Sequence, residues 1–284
     1  MDFTRIFPEE CLSLLVSFTS PADACRLAMV CPALRSAVDC DAAWEMFLPS
    51  NYKSIISESS SSSSSSLLSL GKKELYFHLS SHPIVIQNGT MLQFCAFVIK
   101  QSLQLDKESG VKCYMLGARS LSITWGDTSY KWTWTSLPES RFAFSFVFFR
   151  FPEVAELKLV WWLEVKGRIE TRILSPNTNY AAYLVFKLRN RRTTGFRQRP
   201  VGMNVNVDGV GSREERRVSL DPRDESRHVR ERGDGWMEAE MGEFFNENGD
   251  DGTVEFSVKE LDTSYHKRGL IIEGIELRPK HIGS

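Results

Sequence analysis

The sequence lacks most of the features that announce a chemistry. Only six of its 284 residues are cysteine, at positions 11, 25, 31, 40, 95 and 113, and no C-x-x-C or Cys/His spacing accompanies them. A tetrahedral zinc site needs such spacing, so no metal is expected. The five histidines, His78, His82, His228, His266 and His281, also fall at no ligand spacing. No serine, cysteine or aspartate sits in a recognisable nucleophile motif, which excludes a catalytic constellation and leaves no cofactor to expect. No apolar run reaches the roughly 18 residues that a spanning helix requires. The opening Met1-Asp-Phe-Thr-Arg has no basic stretch leading into an apolar core, which argues against a secretory signal. A net charge of -1 gives no overall pull toward nucleic acid or an anionic membrane. Together these absences predict a protein of the cytoplasm or nucleus with reduced thiols, in which the sequon Asn88-Gly89-Thr90 stays unmodified.

What is present divides the chain in two. The apolar share of 42% and the charged share of 25% are those of an ordinary folded protein with a sizeable core. Residues 7–48 read as a helical unit, and the first domain is placed at residues 1–50. Pro8 opens a helix carrying Cys11, Leu12, Leu15 and Val16. The next begins with Ser20-Pro21-Ala22-Asp23, a serine cap with proline at the first helical position and an acid three residues on. Ala24, Leu27, Ala28 and Cys31 then recur at i, i+3, i+4 and i+7. In that helical spacing a cysteine is expected to be buried as a small hydrophobe. Some forty residues bury too little surface to be comfortably stable alone, which points to an obligate partner. Residues 57–66 are serine except for Glu58 and read as the centre of a linker over residues 51–71.

From Lys72 onward, residues 72–284, the expected period is two. Leu157, Leu159, Trp161, Leu163 and Val165 alternate with polar or ambiguous positions, and Tyr180, Ala182, Leu184, Phe186 and Leu188 repeat the rhythm. Trp161 then belongs to the core, Trp162 faces the other way, Trp236 is rim or core, and Gly274 marks a bulge. Many short strands without long helical patterns predict an all-β antiparallel sandwich or jelly roll behind an all-α unit, a two-domain α + β chain. The run "KLRNRRTTGFRQRP" is basic, but flanking acids and the neutral total favour a solvated strand and loop over nucleic-acid binding. "SREERRVSLDPRDESRHVRERG" reads as a surface loop.

Three of the seven tryptophans stand in "TWGDTSYKWTWT", residues 124–135. If residues 126–129 form a turn, Leu121, Ile123 and Trp125 run up one strand and Tyr130, Trp132 and Trp134 down the next, all on one face. Such a face is ordinarily core, yet sugars stack their C–H faces on indole, and a tryptophan at a strand end can keep one ring face in water. Trp125 and Trp132, nearer the turn, are the platform candidates, and Trp134 is assigned to the core. Asp127 and Thr128 either hydrogen-bond sugar hydroxyls or satisfy the turn itself.

The helical unit resembles an F-box through Phe7-Pro8-Glu9-Glu10, Leu12, Leu15, the spacing Asp23-x-x-Arg26-x-x-x-Val30, Cys31, Leu34 and the closing Trp44. That resemblance implies docking on a Skp1 adaptor, and through it a cullin, with Pro8, Leu12, Leu15, Leu27 and Val30 supplying much of the contact. "CYMLGARSLSITWGDTSYKWTWTSLPESRF", "PEVAELKLVWWLEVKGRI", "LSPNTNYAAYLVFKL", "GDGWMEAEMGEFF" and "GLIIEGIELRP" resemble successive blocks of the phloem protein 2 family of plant lectin-like domains. The resemblance implies a β-sandwich that binds N-acetylglucosamine oligomers or N-glycan cores, and in the tobacco lectin's pattern two tryptophans at this separation, here Trp125 and Trp132, are tied to carbohydrate. Two segments, 91–102 and 143–151, interrupt the family pattern; one or both read as retained intron sequence, the alternative being genuine apolar protrusions. The expected function is a non-enzymatic substrate receptor of a ubiquitin ligase that recruits a glycoprotein. The alternatives are recruitment of a protein target without glycan, and a stand-alone lectin or stress and defence protein.

Overall fold

A computed structural model describes residues 7–59, 64–86, 101–137, 153–189, 193–196, 199–207, 215–221, 228–233, 235–249 and 252–280. Residues 91–100 and 143–151 of the two interrupting segments lie outside the described residues, as do 212–214 and 222–227 of the charged stretch, whose described part forms two short strands and not only a surface loop. The chain forms two units, one holding the residues up to 89 together with Leu103–Cys113, the other holding 90–102 together with everything from Tyr114 onward.

The first unit is helical: α1 (Glu9–Ser17), α2 (Pro21–Leu27), α3 (Pro32–Asp39), α4 (Asp41–Phe47), α5 (Tyr52–Ser57), α6 (Ser64–Leu68) and α7 (Lys72–Ser81). Ser20 caps α2 as expected, its Oγ accepting the Asp23 backbone N–H at 3.1 Å. Trp44 of α4 is fully buried, donates its indole N–H to the Val38 carbonyl at 2.6 Å, and packs its ring 5.1 Å from Tyr76 and 5.2 Å from Phe77. Those partners belong to α7, whose first turn is held by Asp41 accepting the Lys72 backbone N–H at 2.8 Å. The boundaries read from the sequence are thereby corrected. Residues 52–57 are a helix burying Tyr52, Ile55 and Ile56, and residues 72–81 complete the helical unit instead of opening the sandwich. A serine run hides such a helix because the apolar residues that anchor it lie just outside. Cys11 and Cys25 are exposed and Cys31 and Cys40 partly so, not buried as expected, and no disulfide joins the five described cysteines.

The second unit is an antiparallel β-sandwich. After β1 (Ile84–Ile86) and β2 (Gln101–Leu105), the chain enters it through β3 (Lys112–Gly117). There follow β4 (Ser122–Ile123), β5 (Trp132–Thr135), β6 (Val154–Leu157), β7 (Leu163–Glu170), β8 (Thr178–Leu188), β9 (Val201–Val207), β10 (Arg216–Val218), β11 (Val229–Glu231), β12 (Met237–Asn246), β13 (Thr253–Glu260) and β14 (Leu270–Pro279). One sheet runs β3-β14-β8-β12-β11, with β6 against β14 and β5 against β6; the other runs β10-β9-β13-β7-β4. Alternating apolar residues meet between them, as where Phe244 of β12 packs 6.4 Å from Phe256 of β13. The register of β14 shifts between Ile272 and Gly274, the bulge that the glycine predicted, and a Cβ at Gly274 would overlap the Leu116 carbonyl.

The structure departs most from the period-two reading at one end of the sandwich. β4 pairs with β7 in the smaller sheet, whereas β5 pairs with β6 in the larger. "TWGDTSYKWTWT" is therefore not a hairpin: residues 124–131 cross from one sheet to the other. "LKLVWWLEV" does the same, since its single alternating run is broken at residues 158–162. Alternation survives such a crossing, so sequence period cannot show it. The second crossing is tied to one residue. Lys267 pairs its backbone with Val160 (3.0 and 2.7 Å) and, with 0% of its side chain exposed, donates its ammonium to the Trp161 carbonyl at 2.6 Å and to the Asp262 carbonyl while ion-pairing with the Glu260 carboxylate. Lys267→Met keeps the volume but leaves a shielded carboxylate without its cation. The substitution should cost about 3–5 kcal/mol of unfolding free energy in urea titration; an unchanged midpoint would show that the ammonium does not hold this end together.

Candidate functional site

The helical unit carries its candidate surface on α1. Leu12, Ser13 and Val16 face inward, and Ser13 Oγ donates to the Ala37 carbonyl at 3.2 Å. Cys11, Leu14, Leu15 and Phe18, at i, i+3, i+4 and i+7, form the opposite stripe and are all exposed. Of the predicted contact residues, Pro8, Val30 and Leu15 (56% exposed) are on the surface and Leu27 is half-buried. Leu12, 8% exposed, is corrected to a core residue that packs α1 inward. The sequence reading missed Leu14, Phe18 and Met29, all exposed. The 11/14/15/18 spacing was legible, but a helical stripe does not say whether it meets the unit's own core or water.

The second candidate site is the end of the sandwich where the chain crosses between sheets. Trp125, 43% exposed, sits at φ 66°, a left-handed conformation that costs a tryptophan on the order of 1 kcal/mol or more. Successive turns hold it there: Gly126 N–H donates to the Ile123 carbonyl at 2.9 Å and Thr128 N–H to the Trp125 carbonyl at 2.9 Å. The ring lies 5.8 Å from that of Trp162, and the Lys131 ammonium stands 3.5 Å from its centroid. Trp162 and Tyr130 are exposed beside it.

Trp132 is corrected. It is 1% exposed, inside β5, with its indole N–H donated to the Thr124 carbonyl at 3.2 Å, so neither ring face is open for stacking. Trp134, assigned to the core, is half-buried: it donates to the Gly126 carbonyl at 2.9 Å and lies under the Arg119 guanidinium, 3.7 Å from the ring centroid. The two indole N–H groups thus serve the crossing loop's carbonyls. Asp127 is exposed, and Thr128 is built into the turn, its carbonyl accepting the N–H groups of Lys131 (2.8 Å) and Trp132 (2.9 Å). Trp161, read as core, is 55% exposed because its strand has ended, and it meets His266 edge-on at 6.2 Å. Tyr265 lies under Arg199 at 5.0 Å. Arg199 also pairs with Asp262 at 3.1 Å. The Ser264 backbone N–H, donating to Asp262 at 2.8 Å, holds that carboxyl below its usual range, with Arg199 adding to the effect. Trp236 is fully buried under Lys187.

Chemically the site offers two aromatic pairs, Trp125 with Trp162 and Trp161 with His266, among cations and a carboxylate. Among the described residues no group of three or more His, Cys, Asp or Glu is placed to hold a metal ion, and no described helix is long and apolar enough to cross a membrane.

The phloem protein 2 family profile matches residues 111–279 and the F-box domain profile residues 6–45. Among curated proteins the chain is 42% identical over 284 residues to F-box protein PP2-B10 of Arabidopsis thaliana, covering 97% of this chain and 94% of that protein. It is 42% identical over 281 residues to the putative F-box protein PP2-B2 of the same plant (96% and 82% covered), and 38% identical over 292 residues to F-box protein SKIP3 (97% and 88%). With its helical unit, its β-sandwich and these end-to-end similarities, the chain belongs to the family of plant F-box proteins that carry a phloem protein 2 domain.

Proposed function

We propose that this protein is the substrate-recognition subunit of a Skp1-cullin-F-box ubiquitin ligase in the cytoplasm or nucleus, and that its sandwich recruits targets by a GlcNAc-containing glycan. F-box proteins are typically adaptors and not enzymes. Such a receptor works by holding a target at high effective concentration beside the ligase. The outward stripe of α1 supports the adaptor half of the reading: a unit this small that leaves Leu14, Leu15, Phe18, Met29 and Val30 in water gains stability by covering them. Leu15→Asp with Val30→Asp should abolish co-precipitation of a Skp1-like adaptor while leaving the melting temperature unchanged, since both side chains are exposed. Retention of the adaptor would move the docking surface elsewhere.

The single observation that carries the recruiting half is Trp125. An exposed indole kept in a left-handed conformation, with a second indole at 5.8 Å, is a costly arrangement for a residue with only a packing role. Sugar rings stack on such faces. Trp125→Gly relieves the strain, so it should leave the unfolding free energy unchanged or raise it by about 1 kcal/mol, yet reduce glycan-array binding at least tenfold. Undiminished binding would remove Trp125 from the site, and a large loss of stability would return it to a structural role.

A further inference from the structure

The smaller sheet has an outer face that none of the preceding roles uses. Its register lines up outward residues in rows: Asn204, Ser257, Lys166 and Ser122 across β9, β13, β7 and β4, flanked by Asn206, Glu255 and Arg168 on one side and Gly202, Lys259 and Glu164 on the other. Asn204, Ser257 and Ser122 keep most of the central row short, while Arg168, Glu255 and Lys259 rise at the margins, and the face holds a groove of about 430 Å³. Gly202 deepens it, and the Glu215 side chain lies over that glycine, where a Cβ would overlap its carboxylate. Asn206 Oδ1 is shielded from water and has no hydrogen-bond partner among the described residues. A merely solvated sheet face would carry neither a depression nor a shielded, unpaired carboxamide oxygen.

The lining selects its ligand by chemistry. Lys166, Arg168 and Lys259 are cationic, Glu215 and Glu255 anionic, and no aromatic ring except that of the inward Phe256 contributes. An anion meets two carboxylates, a cation meets three cations, and an apolar molecule leaves amides and hydroxyls unpaired. A chain of neutral polyols, whose hydroxyls donate and accept at once, can satisfy amide, hydroxyl, ammonium and carboxylate together. Four strands at ~4.8 Å spacing make the central row about 14 Å long, room for several linked rings. On β4 the outward parity continues from Ser122 to Thr124, whose Oγ1 lies 3.4 Å from Glu164, and the next residue is Trp125.

We propose that this groove is an extended-glycan subsite that binds the neutral sugar chain whose terminal ring rests at Trp125. The inference rests on the reading of the sandwich as a glycan receptor and adds to it where chain length is measured. The test uses the full-length protein with N-acetylglucosamine and its linear trimer as probes in calorimetric titration. The wild type should bind the trimer at least tenfold more tightly than the monomer. Asn204→Val with Ser257→Val, both outward on strands that favour β-branched residues, should erase that advantage and leave the monomer's affinity unchanged. An advantage that persists in this variant but vanishes in Trp125→Gly would overturn the groove and spare the receptor reading; no binding of either sugar by the wild type would overturn both. Should the double variant melt early, a photoreactive trimer on the wild type decides: labelled peptides from β9 and β13 support the subsite, and labelling confined to residues 124–131 rejects it.

Discussion

An ammonium group with no exposed surface anchors the end of the sandwich where the candidate glycan site lies. Lys267 brings its charge to the Glu260 carboxylate and to the carbonyls of Trp161 and Asp262, while its backbone pairs with Val160. An interior cation is tolerated only when such partners surround it, and here they join the end of β13, at Glu260, to the non-strand residues Trp161 and Asp262. The bond to Trp161 fixes residues 158–162, and these in turn receive the crossing loop, as Lys158 N–H donates to the Lys131 carbonyl at 2.8 Å. Close packing against the same residue leaves room for no side chain at Gly195, where φ is 87°.

That anchoring explains how one end of a β-sandwich can display several large aromatics without collapsing onto them. Trp125, Trp161 and Trp162 sit where strands have stopped alternating, between the sheets and not on either. Their neighbours Trp132 and Trp134 face the other way and give their N–H groups to the loop's own carbonyls, so buried indoles position exposed ones. The polar groove of the smaller sheet continues from the same β4 strand. An aromatic end and a hydroxyl-and-amide floor offer the two kinds of contact that a sugar chain presents, C–H faces and hydroxyls.

The helical unit follows a different logic. Its core is the aromatic cluster around Trp44, assembled from α4 and α7, with Asp41 capping the start of α7. The polarity of α1 is split, with Leu12 and Val16 inside and Leu14, Leu15 and Phe18 outside. A helix apolar on both faces is built to have two neighbours, and this unit supplies one of them.

Taken alone, the sequence determined the α-then-β order, the Ser20 cap, the Gly274 bulge and the family, because each depends on local spacing or on residue types at fixed intervals. It also singled out Trp125, whose place beside a Gly-Asp turn is a local property. It misjudged the burial of Trp132 and of Trp161, because period two continues through a sheet crossing while the burial it predicts does not. It put the domain boundary too early, since α7 is held by Trp44, some thirty residues back. The buried Lys267, the pairing of Trp125 with Trp162 and the rows that build the groove were decided only by tertiary structure. Each joins residues from strands distant in sequence, and register, not pattern, brings them together.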